Sequence, residues 1–465
     1  MPTAMLDTIA AIATPPGTGG VGIIRVSGEA APRLAQTLFR THAMQELDPP
    51  LSERPGRGCW VGYVVDPATR RVLDEVVLLQ FRAPRSFTTE DVVEFQGHAG
   101  PAVLGAVLAA VLAQGARLAA PGEFTKRAFL GGRLDLTQAE AIADLASAHS
   151  ERALSLALNQ MEGHLARATR ELREPVKHLL AEVEAALDFP DEIDPPAPER
   201  LTRTLLALCE SARTLMATAE GGRLLREGLT LAILGRPNVG KSSLLNALLQ
   251  AERAIVTAAP GTTRDVLEAG RAIRGVPFRL LDTAGIRDEG ADAIERLGIE
   301  RSRKALAEAD LRLFVFEAPC GLDPAERELL AEALAAGPTL VVGNKIDLLG
   351  PDRPPYDMAI DPPPVGISAV TGAGLAELEQ AIYDVASGEA LAPVQTVALN
   401  ARHHAALVRA HDSLEQVLAS IRNGLPPDFL SIDLKAAFEA LGEITGEDLK
   451  EEIIDHIFAR FCVGK

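Results

Sequence analysis

Short apolar runs open the chain: VGIIRVSG, CWVGYVVD, DEVVLLQF and DVVEFQG each have strand length and are broken by Gly, Pro and charged turns. With the one longer apolar segment, PAVLGAVLAAVLAQG, they predict an α+β domain over residues 1–120. From Leu136 the spacing changes. Thr137 followed by Glu140 predicts a capping box, and Leu158, Met161, Leu165, Ala168, Leu172, Val176, Leu179, Val183 and Leu187 recur at steps of three and four. That spacing predicts a helix or helix pair of roughly 50 residues, about 75 Å if unbroken, which Pro175 is expected to kink or break. The stretch DFPDEIDPPAPER ends it before a further helical run, LTRTLLALCESARTLMATAEGGRLLREG.

At Leu229 the pattern becomes an alternation of apolar strands and helices: LTLAILG, FRLLDTAG, LRLFVFEA, TLVVGNK and PVGISA each precede a helical or loop segment. Such alternation predicts a mostly parallel, doubly wound sheet. After Leu399 the chain reads as helical again. The predicted architecture is multidomain, α+β and α/β: an N-terminal α+β domain (1–120), a helical domain in two parts (121–226 and 389–465), and a doubly wound domain inserted between them (227–388).

Composition narrows the function classes. A formal charge of −18 repels nucleic acid at long range, so an RNA contact needs a local basic patch or a basic partner. Cys59, Cys209, Cys320 and Cys462 lie far apart with no Cys-x-x-Cys or Cys/His ligand spacing, which argues against zinc and against a disulfide framework. Without a long uncharged apolar run or a leader-like beginning, the chain is expected to be cytoplasmic, with no membrane partner.

The chemistry sits in the alternating segment. GRPNVGKS, Gly235 to Ser242, follows an apolar strand and opens a helix, the context that makes it a P-loop. Asn238, Val239, Gly240, Lys241, Ser242 and Ser243 are expected around the phosphates of a nucleotide: backbone N–H groups cradle them, Lys241 neutralises the β and γ oxygens, and Ser242 holds Mg²⁺. Thr257, Ala258, Ala259, Pro260, Gly261, Thr262 and Thr263 form a Thr-rich loop in which Thr263 completes the Mg²⁺ coordination. Asp282, Thr283, Ala284 and Gly285 end the next strand, the Asp toward the metal and the Gly toward the γ-phosphate. Asn344, Lys345, Ile346 and Asp347 fix the base, because the Asp347 carboxylate accepts from guanine N1 and N2, donors that adenine lacks. Ser368, Ala369 and Val370 add a backbone donor for guanine O6. Four such motifs in order predict a GTP-binding domain. Ile286, after DTAG, cannot orient water. Asn238 and the 257–262 loop suggest a monovalent cation site in place of an arginine finger, the alternative being that Asn238 only satisfies the loop's own amides.

At this point the chain resembles the MnmE (TrmE) family of tRNA-modification GTPases. ATPPGTGGVGIIRVSG, SFTTEDVVEFQGHAGP, APGEFTKRAFLGGRLDLTQAEAIADL, ALDFPDE, LLREG, AIVTAAPGTTRDV, DTAGIRD with IERLGIERS, and FCVGK carry the resemblance over essentially the whole chain. It implies a potassium-activated GTPase, a cytoplasmic homodimer, working with an FAD-bearing partner, MnmG (GidA). The pair adds an aminomethyl-type group to C5 of the wobble uridine of tRNA. The one-carbon unit comes from a tetrahydrofolate derivative in its 5,10-methylene or 5-formyl form, bound in the N-terminal domain, which also dimerises. The family's folate positions fall on Arg25, Glu94, Arg133 and Lys465, with Arg133 standing where some members have Lys. Its potassium site falls on Asn238, Thr257, Ala259 and Thr262, and its catalytic Glu on Glu295. Without the resemblance, the alternative for Arg25 and Glu94 is a structural ion pair on a strand.

Near the end of the sequence, Leu449, Ile453, Ile454, Ile457, Phe458 and Phe461 are spaced to line one helix face and hold FCVGK against the protein. That makes Cys462 a candidate nucleophile beside the one-carbon donor, against the alternative of a buried packing thiol. Two competing readings are an Era-like or Der-like switch that docks on ribosomal RNA, and a one-carbon transferase with a vestigial nucleotide domain. Arg167, Arg170, Arg173 and Lys177, interleaved with Glu171 and Glu174, read as a solvated helix face rather than an RNA stripe.

Overall fold

The computed structural model describes residues 7–148, 150–250, 271–274, 276–280, 309–349, 360–387, 396–447, 449–459, 461 and 463–464. They fall into two compact units: one holds those of Met1–Ala143 and Gly442–Lys465, the other those of Asp144–Val256 and Thr263–Leu441.

In the first unit the predicted strands form a seven-stranded sheet. Its members are β1 (Ile9–Ile12), β2 (Gly22–Ser27), β3 (Phe39–Thr41), β4 (Gly58–Val65), β5 (Val72–Phe81), β6 (Val92–Gly97) and β7 (Arg117–Leu118), in the order β3-β4-β5-β6-β2-β1-β7. All pairs are antiparallel except β1 with β7. Helices α1 (Ala31–Leu38) and α2 (Pro101–Ala113) cover one face, and the core contains Ile24, Val26, Leu38, Leu78, Phe95 and Val111. Each fully buried Leu or Phe there contributes about 1.5–3 kcal/mol. Side chains alternate along a strand, so Arg25, between buried Ile24 and Val26, faces away from that core. The register sets it directly opposite Glu94.

Helix α3 (Glu123–Leu130) starts after Gly122, whose φ of 66° is left-handed. Helix α4 (Leu136–Ser147) follows. The capping box expected at Thr137 and Glu140 lies two residues earlier. Asp135 Oδ1 accepts from Gln138 N at 3.0 Å, and Gln138 Oε1 accepts from Asp135 N at 3.0 Å, while Thr137 Oγ1 donates to the same Asp135 carboxylate. An aspartate at the cap with a glutamine three residues on serves the free helix N–H groups as well as the Thr/Glu pair would.

The second unit begins with helices α5 (Glu151–Met161), α6 (His164–Asp188), α7 (Pro198–Met216) and α8 (Ala219–Glu227). The long helical stretch breaks at Gly163, with φ 79°, and not at Pro175, which sits inside α6. Leu165, Leu172, Val176, Leu179 and Val183 are buried as expected, but Leu158 and Met161, on the other side of that break, are exposed. Arg167, Arg170 and Lys177 are exposed, while Arg173 stacks on the Phe438 ring at 3.9 Å.

The alternating segment forms β8 (Leu229–Leu234), α9 (Lys241–Gln250), β9 (Arg271–Ile273), β10 (Val276–Leu280), β11 (Leu311–Glu317), α10 (Pro324–Ala336), β12 (Thr339–Asn344), β13 (Val365–Gly366) and α11 (Leu375–Ser387). The strands order β13-β12-β11-β8-β10-β9, parallel but for the β9–β10 pair. All six residues of β8 are buried, which explains its unbroken apolar sequence. Beyond it come α12 (Ala401–Arg422) and α13 (Pro427–Thr445), and α12 packs along α7. The doubly wound sheet is thus inserted between helices that pack together.

The last helix, α14 (Glu451–Phe458), belongs to the first unit, where Ile454, Phe458 and Phe461 pack with Leu136 and Ala139. Ile453, expected on the same face, is 44% exposed, because α14 is short and only its inner face is covered. A Cβ on Gly464, whose φ is 93°, would run into the Ile12 carbonyl, so the chain there lies against the end of β1. Cys462 and Lys465 lie outside the described residues. No helix of the described residues is long and apolar enough to cross a membrane.

Candidate nucleotide site and N-terminal pocket

The turn from β8 into α9 is built by backbone conformation. Gly235 has φ 141° and Gly240 has φ 94°. A Cβ at Gly235 would strike the Val315 carbonyl of β11, and one at Gly240 would strike the Asn344 amide. Asn238 also has a positive φ, 67°, which Asn tolerates better than most residues. Lys241 opens α9 and folds back, its Nζ donating to the Gly235 carbonyl at 2.8 Å and the Arg236 carbonyl at 2.6 Å. Burial pushes its ammonium pKa below the ordinary lysine value, so a nearby anion compensates it better than these neutral carbonyls do. Ser242 and Ser243 follow in the first helical turn with exposed side chains, beside backbone N–H groups that no helical carbonyl serves.

Asn344, at the end of β12, joins three of the predicted motifs. Its Nδ2 donates to the Val239 carbonyl at 2.8 Å, and its Oδ1 accepts from Ala369 N at 3.1 Å. Lys345 donates to the Asn238 carbonyl at 2.9 Å and to the Glu317 carboxylate, which in turn lies below its ordinary pKa because of that lysine. Ile346 and Asp347 lie in a short 3-10 turn, with Asp347 exposed. Ser368 is fully buried and Val370 is 84% exposed. One side chain therefore ties the GKS turn to the loop carrying Ser368 and Ala369, at the carboxyl ends of the parallel strands, where such sheets bind ligands.

In the first unit, Arg25 Nε donates to Glu94 Oε1 at 2.8 Å and Gln96 Nε2 donates to Glu94 Oε2 at 3.1 Å. The Arg25 and Arg133 guanidinium groups lie 5.1 and 4.9 Å from the Phe87 ring centre. Arg133 also donates to the Phe87 carbonyl at 2.6 Å. Burial, with the Arg25 charge beside it, lowers the Arg133 pKa. Glu94 and Arg133 line a cavity of about 450 Å³ together with Arg57, Phe81, Arg85 and Phe87. Its loop is anchored from beneath: Ser27 Oγ lies 2.6 Å from Thr88 Oγ1 and donates to Glu90 Oε2 at 2.7 Å, and buried Arg127 donates to Glu90, Asp7 and Glu123.

Two family profiles match, the MnmE helical domain over residues 136–462 and the GTP-binding protein TrmE N-terminus over residues 8–133. The tRNA modification GTPase MnmE of Geobacillus kaustophilus is 46% identical over 466 residues, 99% of each chain. The chain belongs to the MnmE (TrmE) family. The Nostoc sp. tRNA modification GTPase MnmE is also 46% identical, over 476 residues that cover 99% of this chain and 100% of that one. Among solved structures, a crystal structure of Era with MgGDPNP and nucleotides of 16S ribosomal RNA matches at 32% identity over 40% of this chain and 66% of that chain. Its TM-score of 0.26 is too low to carry an argument.

Of the positions that the sequence singles out, the structure brings Arg25, Glu94 and Arg133 to one region, and Asn238 through Ser243, Asn344 through Asp347 and Ser368 through Val370 to another. Thr257 through Thr263, Asp282 through Gly285, Glu295, Cys462 and Lys465 lie outside the described residues. Sequence reading missed Phe87, which stands inside the MnmE-like stretch SFTTEDVVEFQGHAGP, and it missed Arg57 and Arg85. An aromatic or a turn arginine carries no motif; only the loop's path brings them to the pocket.

Proposed function

We propose that the chain is a GTP-hydrolysing enzyme of tRNA modification that acts on C5 of the wobble uridine. The observation that supports the nucleotide part of this reading is the Asn344 bridge, which joins the GKS turn to the loop carrying Ser368 and Ala369. Ser242 and Thr263 would hold Mg²⁺; hydroxyl oxygens suit that hard ion, and the Ser242 side chain is exposed in the first turn of α9. Asn238, Thr257, Ala259 and Thr262 would hold K⁺, which supplies positive charge where other GTPases use an arginine finger. Glu295 would act on the attacking water, with Asp282 and Gly285 responding to the metal and γ-phosphate.

The N-terminal domain (1–120) would take a reduced folate through Arg25, Glu94, Arg133 and Lys465. Supporting this, the Glu94 carboxylate has about four lone-pair sites and accepts two hydrogen bonds within the protein, so it retains capacity for the donors of a pterin edge. Arg133 supplies charge for a carboxylate. Cys462 would act as nucleophile beside the one-carbon unit, and Gly464, seated against the β1 end, supports a tail held near this sheet. The working assembly is a cytoplasmic homodimer with an FAD-bearing MnmG-type partner and tRNA. The test is complementation of a strain lacking this gene. The wild-type chain is expected to restore modified wobble uridine by mass spectrometry, whereas Lys241→Met, checked for a native circular dichroism spectrum, is expected not to. Restoration by Lys241→Met would overturn the coupling of nucleotide to modification.

A further inference from the structure

Three side chains of different chemistry converge where α7 and α12 pack together, well separated in sequence from every motif above. Cys209 is a buried free thiol on α7. His411 and Glu415 stand four residues apart on α12, a spacing that places both on one helix face. One ligand atom from each, the Cys209 Sγ, a His411 ring nitrogen and a Glu415 carboxylate oxygen, lie within 4.8 Å of one another. His411 Nε2 is buried without a hydrogen-bond partner and lies 4.0 Å from Glu415 Oε1. At the other edge of the ring, Nδ1 is 3.6 Å from Asp412 Oδ1, beyond hydrogen-bond reach.

We propose that Cys209, His411 and Glu415 form a binding site for a divalent cation of the zinc class, which pins α7 to α12. Thiolate, imidazole and carboxylate are the ligands such a cation takes, at about 2.0–2.3 Å each, with a fourth position left for water. Tetrahedral bonds of that length hold ligand atoms roughly 3.5 Å apart, so the widest pair must close by about an ångström. The Glu415 carboxylate, 4.0 Å from His411 Nε2 and partly exposed, has the freedom to move in, and small shifts of the packed helices close the rest. Burial, with the Glu415 charge, pushes the metal-free Cys209 thiol up to about 11. Binding therefore breaks an S–H bond, forms a metal–sulfur bond and releases the proton to solvent. Mg²⁺, which prefers oxygen donors, does not compete.

The test uses full-length, nucleotide-free protein stripped by chelator, in a Cys59→Ser/Cys320→Ser/Cys462→Ser background that leaves Cys209 as the remaining thiol. Added Co²⁺ is expected to give a thiolate-to-cobalt charge-transfer band that saturates at one equivalent, is displaced by one equivalent of Zn²⁺ and is unaffected by excess Mg²⁺. Cys209→Ser removes the band, and Glu415→Gln weakens Co²⁺ binding at least tenfold. Absence of the band in background protein with a native circular dichroism spectrum, or its persistence in Cys209→Ser, overturns the proposal. Should Cys209→Ser fail to fold, Glu415→Gln decides, since unchanged affinity in that variant overturns the three-ligand site.

Discussion

The two candidate ligand sites are built from different materials. The β8–α9 turn is a backbone device, shaped by Gly235 and Gly240 and locked by the Asn344 amide. The N-terminal pocket is a side-chain device, with Phe81, Phe87, Arg57, Arg85, Glu94 and Arg133 on its walls and a buried ionic network under its loop. A backbone site fails where a side chain is added. A side-chain site fails where its support is removed. The β8–α9 turn is therefore sensitive at glycines, and the pocket at residues that never touch a ligand.

The largest effect belongs to the buried network. Arg127→Met takes one cation partner each from Glu123, itself 5% exposed, from Glu90 and from Asp7, the last of which keeps Arg117, and this should cost about 3–5 kcal/mol. Trp60, the single tryptophan and part of this sheet, reports the loss as a lower denaturant midpoint, while GTP affinity stays unchanged. A parallel fall in GTP affinity would break the comparison. Next, Gly235→Ala forces a left-handed residue against the Val315 carbonyl. Strain of about 1–3 kcal/mol should weaken GTP binding roughly 10–100-fold by fluorescent-nucleotide titration, without moving the Trp60 transition. Asp347→Asn removes a charged acceptor, and should lower GTP affinity about tenfold or more while raising that for xanthosine triphosphate. Unchanged preference would mean another group reads the base.

The smallest effect is on acid stability. Hydrogen bonding from Arg117, against a partial opposing effect of burial, holds the Asp7 carboxyl below its ordinary value of 3.8. Burial alone would raise Glu123, but Arg117, the Ala120 N–H and Arg127 together hold it below its ordinary 4.5. Both folded-state values are depressed, so this stabilisation is complete above the unfolded-state values and is lost as pH falls through the folded ones. The Trp60 midpoint should therefore drop below about pH 4.5 in wild type and respond less steeply in Arg127→Met.

Motifs of the doubly wound sheet were legible because each is short, local and tied to a strand end: GRPNVGKS had to follow β8, and NKID had to end β12. The helix break was misread because Pro175 is a stronger written signal than Gly163, yet helix α6 accommodates the proline, while the left-handed Gly163 ends one helix and starts the next. The capping box was misplaced because both Asp135/Gln138 and Thr137/Glu140 satisfy the pattern, and only the position of the first turn chooses between them.

By itself the sequence determined element types, the nucleotide motifs and the family, all of which depend on residues close together along the chain. Tertiary structure decided what depends on distant ones. Strand register set Arg25 against Glu94, the path of the 82–91 loop brought Phe87 beneath two guanidinium groups, and the packing of α7 on α12 brought Cys209 to His411 and Glu415 across some two hundred residues. No spacing rule can read such meetings, because the atoms that meet share no local pattern and the geometry that joins them is that of packed elements.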